Sequence, residues 1–152
     1  MATRFIGNAF SPGELVGVYS SKVNGRDVLV FTNSGTRQVI WTTKAPQGWT
    51  GTVTGVIDYF TSVTTGSFTW AIEVEAIAEG DAVDLDAATS FDTANSAADT
   101  VPGTAGYPAQ HSITLTNADS VQAGDLVRFR LSRTDTTTGT AYVETLEIRD
   151  AA

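Results

Sequence analysis

The stretch SFTWAIEVEAI, residues 67–77, constrains the fold more tightly than any other part of the sequence. Phe68, Trp70, Ile72, Val74 and Ala76 occupy every second position, with Thr69, Ala71, Glu73 and Glu75 between them. A strand places these two sets on opposite surfaces; a helix would scatter both. One face is therefore core and the other wet, so a second layer must cover the core face. The pattern returns in DLVRFRLSR (125–133), where Val127, Phe129 and Leu131 alternate with Arg128 and Arg130. In TAYVETLEIRD (140–150), even spacing points Tyr142, Leu146 and Ile148 inward.

Further strands are predicted at LVGVYS (15–20), RDVLVFT (26–32), RQVIWTT (37–43), TVTGVIDYFT (52–61) and HSITLT (111–116). Asn24-Gly25 is a hairpin turn signal, and Asn33 to Thr36 is another, so residues 15–43 read as a three-strand meander. Residues 1–14 show no period and read as an extended arm carrying Phe5, Ile6 and Phe10. The polar run 93–110 reads as a long surface loop. With 24 Thr and 14 Gly against 2 Lys, the composition suits strands and tight turns. The expectation is an all-β chain: an antiparallel β-sandwich, a jelly roll of about eight strands, with one domain over 15–152 behind the arm.

Charge narrows the partners. The net charge is −8, and between Lys44 and Arg128 there are eleven carboxylates and no cation, which argues against nucleic acid. No apolar window approaches the roughly 18 residues of a membrane span, and the first residues lack the apolar core of a signal peptide. The absence of Cys removes disulfides and thiolate chemistry. No cofactor is expected.

Several side chains are candidates for chemistry. Glu73 and Glu75 share a strand face, as a glycoside hydrolase pair would, although a solvated strand face needs no such explanation. Asp81, Asp84 and Asp86 supply oxygen ligands without EF-hand spacing. His111 beside Ser112 lacks a nucleophile elbow. Trp70 belongs to the core by its alternation, whereas Trp49, between Gly48 and Gly51, reads as exposed. Trp49, Tyr107 and the 93–110 loop would form the face of a receptor- or carbohydrate-binding module. Arg128 and Arg130 pair either with the acidic surface or with a neighbouring subunit.

From residue 51 onward the motif order resembles a β-sandwich domain of tailed-bacteriophage structural proteins. The residues that carry this are Tyr59, Phe60, Thr61, Ser62, Thr65, Gly66, Trp70, Ala78, Asp81, Ala123, Gly124, Asp125, Leu126, Arg130 and Arg133. The resemblance implies a non-enzymatic decoration or cementing protein, a homotrimer seated on the major capsid protein at the virion exterior. It would be made in the host cytoplasm; the apolar arm with Phe5, Ile6 and Phe10, which lies outside the resemblance, is the candidate contact with the capsid or a neighbouring subunit. A glycan-binding module on a tail or fibre is the alternative, and a small glycoside hydrolase using Glu73 and Glu75 is third.

Overall fold

Two antiparallel sheets stack face to face, and the predicted β-sandwich jelly roll is what the computed structural model contains. It describes residues 2–49 and 52–150, so Met1 of the expected arm and the Gly51 flank of the Trp49 turn lie outside the described residues. The strands are β1 (Ala2–Asn8), β2 (Glu14–Val16), β3 (Val18–Val23), β4 (Arg26–Phe31), β5 (Gln38–Lys44) and β6 (Val53–Thr61). They continue with β7 (Ser67–Ile77), β8 (Asn95–Thr100), β9 (Ala109–Leu115), β10 (Leu126–Arg133) and β11 (Ala141–Asp150). The first sheet runs β3-β4-β11-β6-β9, with β1 also on β11; the second runs β2-β5-β10-β7-β8. Among the described residues there is no helix, and so none long and apolar enough to cross a membrane.

The strands beyond the expected eight each have a structural cause. β4 pairs with β11 only along Ala141–Val143, which leaves the same edge free from Thr145 onward. β1 fills that edge, so the segment read as an arm is part of the first sheet. Its Phe5 ring stacks on Phe129 at 5.4 Å, while Ile6 and Phe10 stay 55% and 85% exposed. β8 arises inside the predicted loop because an edge strand needs ladder bonds more than apolar bulk: it pairs with β7 from Ser67↔Thr100 to Ile72↔Asn95.

The predicted strand 15–20 is two strands in different sheets, joined at Gly17. There φ is +63°, and a Cβ would collide with the Thr36 carbonyl. Likewise β3 and β4 form the expected hairpin, but β5 lies in the second sheet beside β10 and β2, so the three-strand meander does not form.

The core lies between the sheets. Trp70 is fully buried and packs edge-on against Phe31 and Tyr59, with ring centroids 5.3 Å away in each case. Trp41 donates its Nε1–H to the Asn8 carbonyl at 3.2 Å, and its ring lies where a Cβ on Gly7 would be, 2.7 Å away. Two cations, Arg37 and Arg133, are interior too. The Arg133 guanidinium lies 3.7 Å from the Phe68 ring centroid, pairs with Asp135, and donates to the carbonyls of Phe31, Thr32, Thr137 and Gly139. It ties the 134–140 turn to β4.

Candidate functional site

One register shift shapes the outer surface of the first sheet. Tyr142 pairs with Phe60 and Val143 with Tyr59, but Asp58 meets Thr145, so β11 carries a bulge at Glu144. The extra residue reverses the parity, which turns Leu146 and Ile148 inward as expected and Tyr142 outward, against expectation. Tyr142 then stacks on Phe60 at 5.0 Å with planes 24° apart. Val30 is the register partner of both Tyr142 and Tyr19, so Tyr19, Tyr142 and Phe60 share one row across β3, β11 and β6.

Beside this row lies a groove of about 520 Å³. Phe60 and Asp58 of β6 and Glu144 and Thr145 of β11 line it, together with the β3–β4 hairpin at Val23, Asn24 and Arg26 and the 101–108 loop at Gly106 and Pro108. Asn24 takes φ +48° beside Gly25, which makes the tight hairpin tip that stands there. Gly106 donates its N–H to the Thr61 carbonyl at 2.9 Å and so holds the loop against the end of β6. The volume is that of a small-ligand site, with apolar surface and a few convergent polar groups.

Those polar groups are held in place. Asp58 accepts from Gln110 Nε2 and from Thr145 Oγ1, each at 2.8 Å. Glu144 pairs with Arg26 at 3.1 Å in a partly exposed contact that solvent screens. Farther along β11, Glu147 is held below the usual carboxylate range by Arg149 and Thr3, so it faces the surface as an ion.

The second sheet's outer face is closed. Arg130 grips Glu73 with two bonds of 2.6 Å, and Arg128 grips Glu75 at 2.6 and 2.9 Å. The Phe91 ring lies over both guanidinium groups, 5.0 Å from Arg128 and 4.2 Å from Arg130. Glu75 is 1% exposed. Burial alone would raise its pKa, but Arg128 and the Ser90 N–H and hydroxyl outweigh burial and lower it. Each carboxylate has both oxygens engaged by an arginine, and Glu75 lies beneath a loop, so neither is presented to a glycosidic bond. Arg128 and Arg130 are thus paired with the acidic surface, one of the two arrangements expected of them.

The other sequence candidates separate. Trp49 is 9% exposed and belongs to the core; the flanking glycine marks a turn, but the ring folds beneath it. Tyr107 is 61% exposed, between two residues that line the groove, whereas Trp49 lies at the opposite end of β9 with Val53 and Leu115. Asp81 accepts from the Ala78 N–H and Asp84 from the Asp86 N–H, so they cap their own turns. Among the described residues, no group of three or more His, Cys, Asp or Glu side chains is placed to hold a metal ion. His111 turns inward, 3.5 Å from Asp99, which also accepts the Tyr59 hydroxyl; Ser112 faces out of the sheet. Sequence reading missed Phe60, Tyr142, Asp58, Glu144 and Arg26. The Asn24-Gly25 turn placed Arg26 at a hairpin tip, but no local signal places that tip over β11.

No protein-family model and no curated protein matches the chain. Solved structures do. A family 35 carbohydrate-binding module from Clostridium thermocellum superposes with a TM-score of 0.61 at 15% identity, over 99% of this chain and 100% of that one. A module of the Cellvibrio mixtus lichenase 5A, in complex with cellotriose, gives 0.60 at 10% identity over 99% and 100%. A family 36 module in complex with calcium and xylotriose gives 0.55 at 16% identity over 95% and 99%. These findings overturn the resemblance to phage decoration proteins, and the virion role, trimer and capsid partner fall with it. The motifs that suggested it are structural: Tyr59 and Trp70 are core residues, and Thr65-Gly66 is the turn between β6 and β7. At such identities the likeness establishes the fold, a jelly-roll sandwich shared across its whole length with carbohydrate-binding modules.

Proposed function

We propose that this chain is a carbohydrate-binding module that holds a sugar in the groove on the outer face of the first sheet without transforming it. The observation that carries this is the pairing of a stacked aromatic surface, Phe60 on Tyr142, with the fixed acceptors Asp58 and Glu144. A pyranose ring is apolar on its faces, where C–H bonds project, and polar around its rim. It needs a flat ring beneath it and hydrogen-bonding groups beside it, which is what this groove offers. The whole-length likeness to modules solved with cellotriose and xylotriose supports the same reading. So does the engagement of Glu73 and Glu75 in the closed face, which leaves the acidic pair of the other sheet without a catalytic role.

Calorimetric titration with soluble oligosaccharides of glucose, xylose and galactose tests it. Binding of at least one is expected, and Phe60→Ala should weaken it about tenfold or more with an unchanged circular-dichroism spectrum. No binding across the panel, or full affinity in Phe60→Ala, refutes the assignment.

A further inference from the structure

The charges around the groove select among sugars. Asp58 and Glu144 line it, and Arg26 is the one cation among its lining residues. Arg26 is committed to Glu144, while Asp58 is bonded only to neutral donors, Gln110 and Thr145. Arg149, on the same face, feels the charge of Asp58 but spends its ion pair on Glu147. Among the described residues the groove therefore keeps one carboxylate that no cation bonds directly, on a chain of net charge −8.

We infer that the preferred ligand is a glycan bearing free amines, such as a β-1,4-linked glucosamine oligomer. The inference rests on the sugar-binding reading of the groove and adds the charge of the ligand. A protonated sugar amine has the same ring face as a glucose unit and carries an N–H donor with a full charge. Hydrogen bonds between an ammonium and a carboxylate are roughly twice as strong as their neutral counterparts, so Asp58 holds the amine better than a hydroxyl at the same carbon. A uronic acid is repelled for the same reason.

Glucosamine tetramer and cellotetraose, which differ only in amine against hydroxyl, provide the test, with an oligogalacturonate of equal length as the anionic arm. At about pH 5.5, above the ordinary carboxylate range, the glucosamine tetramer should bind about tenfold tighter than cellotetraose. That ratio should shrink with added salt, and the oligogalacturonate should bind weakest. Asp58→Asn should reduce the ratio to about threefold or less, and Arg26→Gln, which frees Glu144, should raise it. Asp84→Asn, an equal charge change away from the groove, should leave it unaltered. Equal affinity for the two tetramers, or an equal loss in Asp84→Asn and Asp58→Asn, overturns the inference while leaving sugar binding intact. If no tetramer binds, the sugar-binding reading falls with it.

Discussion

Replacing Arg133 by Met keeps the bulk of the side chain and removes its charge and all its donors. Asp135, its side chain 10% exposed, then loses its ion partner and keeps the Thr69 and Thr137 N–H groups and the attraction of the buried Arg37. The carbonyls of Phe31, Thr32, Thr137 and Gly139 lose a donor as well. Breaking a buried pair from one side costs about 3–5 kcal/mol, and a buried acceptor left without a partner adds about 1–3 kcal/mol. Because water can reach the half-buried 137–139 turn, most of the second cost is relieved there; a total of about 4–6 kcal/mol is expected. Against a domain stability of about 5–15 kcal/mol this is a large share. With a urea m-value of about 2 kcal/mol/M, the midpoint should fall by about 2 M or more, read by far-ultraviolet circular dichroism. Adding Asp135→Asn to Arg133→Met should restore about 1 kcal/mol, because the stranded carboxylate is removed while the buried Arg37 gives up its attraction to it. A single variant within about 1 kcal/mol of the parent, or a double variant weaker than the single, would refute the account of this cation as an internal tie.

Other expectations follow from the same geometry. Gly17→Ala should cost about 2 kcal/mol or more, against about 1 kcal/mol for Gly35→Ala, which has a similar positive φ but open space around it; equal urea midpoints would deny the steric role of Thr36. Glu75 has a folded pKa below its unfolded value, so its contribution is present at and above the ordinary glutamate range and is lost as the pH falls through the folded value. Glu75→Gln should therefore flatten the acid limb of stability between about pH 5 and pH 2, and parallel limbs in urea melts at stepped pH would contradict this. Trp49→Ala should cost about 3–5 kcal/mol in urea melts and leave sugar affinity unchanged. Tyr107→Ala, at an exposed loop position beside the groove, should shift stability by no more than about 0.5 kcal/mol and weaken sugar binding in titration.

What the sequence disclosed was what depends on neighbours along the chain. The alternation of Phe68, Trp70, Ile72 and Val74 and of Val127, Phe129 and Leu131 sets a face by itself, and those residues are core. β1 and β8 were hidden because their reason to be strands is a free edge on β11 and on β7, supplied by residues far away in sequence. Tyr142 was misplaced because one bulge residue, Glu144, reverses the parity, and no composition signal marks a bulge. The groove was invisible for a related reason: it assembles Val23–Arg26, Asp58–Phe60, Gly106–Ala109 and Glu144–Thr145, which only the sheet order brings together. Trp49 shows the converse: a turn-like neighbourhood does not decide where a large ring goes.

The strap that carries Phe91 across the Arg128 and Arg130 pairs covers the outer face of the second sheet, so the proposed sugar groove lies on the other sheet alone. A module that receives glycan through that one groove coats a polymer but does not bridge two strands of it, so one copy would neither gel nor precipitate a soluble glycan. Avidity would have to come from several copies placed side by side along the same strand, at an effective concentration fixed by whatever joins them.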